Sequence, residues 1–154
     1  MSCNFRFAPD RATFNNAGID AMQKILVVDD DAELLDLICL SLKDAGFSTV
    51  GCRKGVDALR EARSFAPDLI VLDLVLPEMD GFTVCETLRK DKATAKIPVL
   101  ILTGLTSQLN RFAGLESGAC GYLFKPITMD KLIAKIRSLL SQLPESGSSQ
   151  RACA

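Results

Sequence analysis

Carboxylates that follow apolar runs are the residues of this chain best suited to chemistry. The run KILVV leads straight into Asp29-Asp30-Asp31, LIVLD ends on Asp73, PVLIL is followed by Thr103, and YLF leads into Lys125-Pro126. Each has an ordinary explanation when taken singly. An aspartate after a strand commonly caps a helix, Asp30 with Glu33 has the spacing of a capping box, and a lysine in such a place is usually solvated. For Thr103 and Asp31 alone, that ordinary role suffices. Gathered at one place, the set asks for more. Carboxylates a few ångströms apart repel by roughly 4 kcal/mol per close pair at an effective dielectric of about 20. Hard oxygen donors in a partly open shell suit Mg²⁺, which keeps waters and takes one or two carboxylates together with a phosphate. Asp29, Asp30 and Asp73 carry a formal −3, which Mg²⁺ and Lys125 together cancel.

These residues meet only if the intervening segments fold in one particular way. Strand-like runs at 24–28, 48–52, 69–73, 98–102 and 121–124 alternate with helix-like segments at 32–44, 55–65, 81–90, 107–117 and 128–141. KILVV, LIVLD and PVLIL are continuously apolar, as strands covered by helices on both faces must be. Leu34, Leu35, Ile38 and Leu42 form one helical stripe, and Leu132, Ile136, Leu139 and Leu143 another. Gly46 follows the first stripe, where a left-handed cap suits glycine. Such alternation implies a parallel sheet with right-handed crossovers, and predicts an α/β, flavodoxin-like (βα)5 doubly wound fold in the order 2-1-3-4-5. Ligands of such sheets bind beyond the carboxyl ends of the strands, the edge to which every central strand here delivers a polar side chain.

The rest of the chain bounds the function. Its 154 residues suit one domain, expected over 23–142, after a poorly ordered extension at 1–22 and before a disordered Ser- and Gly-rich tail at 143–154. Met22 opens directly into the first strand and competes with Met1 as the natural start. The net charge of −1 argues against wholesale phosphate binding, and no apolar run is long enough to span a bilayer. There is no histidine, which removes Ser-His-Asp and Cys-His catalysis and a phosphohistidine of the chain's own. The six cysteines are scattered without a CxxC pair, so they read as mostly reduced thiols of a cytoplasmic protein rather than as zinc ligands. No GxxxxGK[ST] loop is present.

Over roughly residues 23–142 the chain resembles the receiver domains of two-component response regulators. The resemblance rests on ILVVDDD, LIVLDLVLPEMDGF, VLILTG and AGLESGACGYLFKP, in the family's order and spacing. It implies that Asp73 is the phosphoacceptor, that Asp30 binds Mg²⁺ directly and Asp29 largely through water, and that the main-chain carbonyl of Val75 completes the protein ligands. Thr103 is then the hydroxyl that meets a phosphoryl oxygen, and Lys125 the cation that pairs with Asp73 at rest and with the phosphoryl group afterwards. Tyr122 matches the aromatic that turns inward when Thr103 moves, and a cis bond is common before the proline matching Pro126.

The resemblance implies a phosphoacceptor signalling domain rather than an enzyme, one that catalyses its own phosphotransfer and a slow autodephosphorylation. A sensor histidine kinase or histidine phosphotransfer protein is the expected donor. With only a short tail after the domain, the sequence leads us to expect a stand-alone regulator that acts through a downstream target protein or relays its phosphate, with no direct DNA binding and no membrane contact. Several positions depart from common family choices: Gly104 leaves access open, Val75 and Leu105 are apolar where fast self-hydrolysing members are often polar, and Cys120-Gly121 replaces a frequent acidic pair. Two rival readings share the fold, a flavin carrier and a Mg²⁺-dependent phosphatase of the haloacid-dehalogenase type. The first lacks a phosphate-binding loop after strand one; the second fits Asp29 and Asp31 as its DxD but leaves Asp73 and Lys125 without a role.

Overall fold

The computed structural model describes residues 22–104 and 119–142. In chain order the elements are β1 (Lys24–Val28), α1 (Ala32–Asp44), β2 (Ser48–Cys52), α2 (Gly55–Ser64), β3 (Leu69–Leu72), α3 (Gly81–Lys90), β4 (Val99–Thr103), β5 (Ala119–Phe124) and α4 (Met129–Gln142). The strands form a single sheet in the order β2-β1-β3-β4-β5, and every pairing is parallel. This is the expected flavodoxin-like arrangement. The expected helix at 107–117, Leu105 and both terminal segments lie outside the described residues.

The continuous apolar strands divide their side chains between two cores. Leu26 and Val28, Ile70 and Leu72, Val99 and Ile101 face α2 and α3, where Ala58, Ala62, Val84, Cys85 and Leu88 meet them. The alternate residues Ile25 and Val27, Leu69 and Val71, Leu100 and Leu102 face Leu35, Ile38 and Leu42 of α1 and Leu132, Ile136 and Leu139 of α4. Period-two alternation thus puts every side chain of these central runs out of water. The sheet is clamped from both sides, and its carboxyl edge becomes a fixed platform.

Local chemistry sets most element ends. Asp31 caps α1, its Oδ1 accepting from the Leu34 N–H at 3.2 Å, so the cap is Asp31 and not the Asp30–Glu33 box allowed by the spacing. The helix closes in a Schellman arrangement: Phe47 N–H donates to Leu42 O and Gly46 N–H to Lys43 O, with Gly46 at φ +102°. β4 begins one residue later than expected because Pro98 has no N–H to give the ladder. β5 starts at Ala119 rather than 121, with a register shift opposite Val99/Leu100. It runs through Gly121, where a Cβ would come within 3.0 Å of Lys135 Cε. Gly81 is required more strictly: a Cβ there would lie 2.5 Å from the main-chain oxygen of Asp73 and 2.7 Å from Leu74 Cα. Of the cysteines, Cys39, Cys52 and Cys85 are buried thiols, as expected, while Cys120 is disulfide-bonded. Among the described residues no helix is long and apolar enough to cross a membrane.

Candidate functional site

β1 and β3 are neighbours, so the two loops that leave their carboxyl ends run side by side. The pairing continues one residue past each strand: Asp29 N–H donates to Cys52 O and Asp73 N–H to Val28 O, both at 3.0 Å. This is how two acids far apart in sequence reach one place. One carboxylate oxygen from each of Asp29, Asp30 and Asp73 lies within 4.8 Å of the others. Asp29 is 2 % exposed and Asp73 5 % exposed, whereas Asp30 faces solvent. The site is therefore two buried acids with one at the mouth.

Lys125 is the counter-cation. Its Nζ donates to Asp73 Oδ2 at 3.0 Å, as expected, and also to Asp29 Oδ2 at 2.8 Å, which the sequence did not disclose. Burial pushes the Asp29 carboxyl up, against the opposing Lys125 and Asp31 hydrogen bonds, and the charge of Asp73 adds to the rise. Burial works to lower the Lys125 ammonium, but the hydrogen bonds and charges of Asp29 and Asp73 outweigh it and hold it above its ordinary value. The lysine is aimed from both sides: its N–H donates to Thr103 O at 2.9 Å, and the Lys125–Pro126 bond is cis.

Main-chain donors fix the two buried acids further. Asp31 N–H donates to Asp29 Oδ1 at 2.9 Å and Val75 N–H to Asp73 Oδ1 at 3.1 Å. The Val75 peptide is thus beside the cluster, with its side chain 48 % exposed at the rim. Thr103 is fully buried at the end of β4. Tyr122 pairs in register with Ile101 and packs, half-buried, against the core facing α2 and α3. Among the described residues a Cβ on Gly104 would meet only Lys125 Cβ, at 4.0 Å. The structure brings Asp29, Asp30, Asp73 and Lys125 into contact or near-contact, and places Val75, Thr103 and Tyr122 around them.

One neighbour was missed. Arg53, just past β2, donates from Nε to the main-chain oxygen of Asp30 at 3.3 Å. Its only sequence signal was a basic residue at the same sheet edge. Asp31, by contrast, spends its carboxylate on the α1 cap and stays out of the cluster, which leaves the DxD phosphatase reading without its second acid. The remaining donors are three hard carboxylate oxygens, a set that fits Mg²⁺ and would not hold an anion unaided.

Known proteins share this fold. The model of the response regulator receiver domain matches residues 25–137. The chain is 44 % identical over 119 residues to the DNA-binding dual master transcriptional regulator RpaA of Synechocystis, covering 77 % of this chain and 49 % of that protein. It is 42 % identical over 118 residues to the DNA-binding response regulator MtrA of Mycolicibacterium paratuberculosis, covering 77 % and 51 %. Among solved structures, the receiver domain of sensor histidine kinase PA1611 from Pseudomonas aeruginosa, with a magnesium ion coordinated in its active-site cleft, superposes with a TM-score of 0.72 at 27 % identity, over 79 % of this chain and 99 % of that one.

The named relatives correct one expectation. They are DNA-binding regulators, against the expectation of no direct DNA binding. That expectation came from near-zero net charge and from the short tail after the domain, and the chain spans about half the length of the curated relatives it matches. A charge argument made on the matched span does not describe the rest of those relatives' length. The same coverage removes the basis for expecting a stand-alone regulator, which rested on where the chain ends.

Proposed function

Because the chain belongs to the response regulator receiver domain family, we propose that it accepts a phosphoryl group from a phosphohistidine donor onto Asp73, with Mg²⁺ held beside it, and signals through the change that follows. The observation that carries this reading is the cluster itself: a buried Asp73 whose carboxylate is oriented by Val75 N–H and Lys125, within 4.8 Å of two further acids. Asp29, Asp30, Asp73 and the Val75 carbonyl would hold the metal, with Asp30 as a direct ligand and Asp29 acting largely through water. Bound there, it would supply charge neutralisation at the transferring phosphoryl oxygens. The magnesium named in the Pseudomonas receiver's cleft supports the same assignment.

Transfer forms a bond between an Asp73 carboxylate oxygen and phosphorus as the phosphorus–nitrogen bond of the donor breaks, and the imidazole leaves with the electron pair. The chain's contribution is positioning and electrostatics, because phosphoryl transfer leaves little covalent work to a protein. Val75 N–H and Lys125 already fix the carboxylate, and Lys125 passes from Asp73 to the new phosphoryl oxygens. The acyl phosphate carries close to two negative charges where there was one. That added charge draws the Thr103 hydroxyl, and Tyr122 turns into the space its movement leaves. The domain is thus a phosphoacceptor that catalyses its own modification and slowly reverses it, rather than an enzyme acting on a separate substrate.

The test is intact-mass measurement after incubation with acetyl phosphate and Mg²⁺. One phosphoryl mass is expected on the wild type and none on Asp73→Asn. Undiminished labelling of that variant, or no dependence on Mg²⁺, would overturn the reading.

A further inference from the structure

The three aspartates of the cluster are not held alike. The Asp29 carboxylate takes hydrogen bonds from Asp31 N–H and Lys125, and that of Asp73 from Val75 N–H and Lys125. Asp30, exposed at the mouth, has no side-chain hydrogen bond or ion pair among the described residues. Its main chain is held instead. The carbonyl oxygen of Asp30 accepts from Arg53 Nε at 3.3 Å, the long end of the hydrogen-bond range. The β1–β2 ladder carries on to Asp29 N–H and Cys52 O, so Arg53 lies alongside the loop that holds Asp30. Asp30 also precedes the α1 cap, outside the helical ladder.

We propose that Arg53 is a positioning residue for the metal site: by fixing the Asp30 peptide from the neighbouring β2–α2 loop, it keeps the exposed acid aimed at the cluster. This rests on the reading that Asp29, Asp30 and Asp73 hold Mg²⁺. Asp29 and Asp73 need no such help, since buried donors orient their oxygens directly. Asp30 is exposed, so a shift of its main chain carries its carboxylate oxygens away from the other two acids with no buried contact to resist it. Groups that orient a metal ligand without touching the metal typically change affinity by roughly 10- to 100-fold when removed. A single, exposed, main-chain contact belongs at the low end of that range.

Charge alone predicts the opposite sign. Arg53 is a cation near a site for a cation, so its removal relieves repulsion and tightens Mg²⁺ binding if that is all it does. The full-length chain is titrated with MgCl₂ and followed by calorimetry and by amide NMR shifts. Arg53→Ala and Arg53→Met are expected to bind Mg²⁺ about tenfold more weakly than wild type. Their metal-free thermal midpoints should stay within about 2 °C of wild type, because the side chain is exposed. Arg53→Lys keeps a donor within reach of the carbonyl and is expected to recover most of the loss. The ratio of variant to wild-type affinity should persist in high salt, where exposed charge effects are screened. Binding by Arg53→Ala that is within twofold of wild type, or tighter, would overturn the proposal. A wild-type chain that does not saturate with Mg²⁺ would instead overturn the proposed function on which it rests.

Discussion

Replacing Lys125 with Met isolates the electrostatics of the resting site. The substitution keeps an apolar stem of similar length and removes only the ammonium. In the wild type that ammonium lies 2.8 Å from Asp29 Oδ2 and 3.0 Å from Asp73 Oδ2, with the Asp29 and Asp73 side chains only 2 % and 6 % exposed. Breaking a buried pair by removing one partner costs about 3–5 kcal/mol, because the charge left behind is uncompensated. Here two acids are left behind, but one can relieve the strain by taking up a proton, which its burial already favours. We therefore expect a loss of about 3 kcal/mol near pH 7.5 without metal, or about 10 °C in thermal midpoint for a domain of this size.

The sign of the pH dependence follows from the directions of the shifts. The Lys125 ammonium is raised, so its contribution is present below its ordinary value and is lost only as pH climbs through the higher folded value. It is therefore intact across the neutral range. The Asp29 carboxyl is also raised, so the folded chain holds that proton more tightly than the unfolded one, and stability from this group falls as pH rises above 3.8 toward the folded value. Without Lys125 that rise grows, and the decline steepens. The difference between wild type and Lys125→Met should thus be largest at pH 7.5 and shrink by half or more at pH 4.5. Urea denaturation at the two pH values measures it, and millimolar Mg²⁺ should recover part of the loss by replacing the missing cation. Equal differences at both pH values, or a loss below about 1 kcal/mol at pH 7.5, would refute the claim that Lys125 neutralises two buried acids.

Two further outcomes follow from named contacts. Gly81→Ala sets a Cβ against the Asp73 carbonyl and Leu74 Cα, neither of which can swing aside as a flexible side-chain end would, so it should cost more than about 2 kcal/mol in urea denaturation and slow phosphorylation of Asp73 as well. Val75 stands 48 % exposed at the rim and offers no polar atom from its side chain to orient an attacking water. The acyl phosphate should therefore persist for many minutes, and Val75→Asn should shorten its life when decay is followed by intact mass; wild-type loss within seconds without a phosphatase would contradict this.

The sequence by itself determined what local patterns can carry. Continuous apolar runs identified β1, β3 and β4 as strands covered on both faces, and the structure divides their alternate residues between two cores. Helical stripes identified α1 and α4, and the βα alternation implied the strand order. Once those were in place, Asp29, Asp30, Asp73, Thr103 and Lys125 had to arrive at one edge, because each closes or follows a strand and all the strands run the same way. Polar roles that depend on contact were beyond its reach. Three consecutive aspartates look alike in a sequence, yet only the geometry gives Asp31 to the α1 cap, leaves Asp29 buried under Lys125, and turns Asp30 to the mouth. The second partner of Lys125 lies 96 residues away and the Arg53 contact spans 23. Hydrophobic periodicity is a property of neighbouring residues, whereas a hydrogen bond of about 3 Å is set by where two distant loops come to rest; only the packed sheet fixes that.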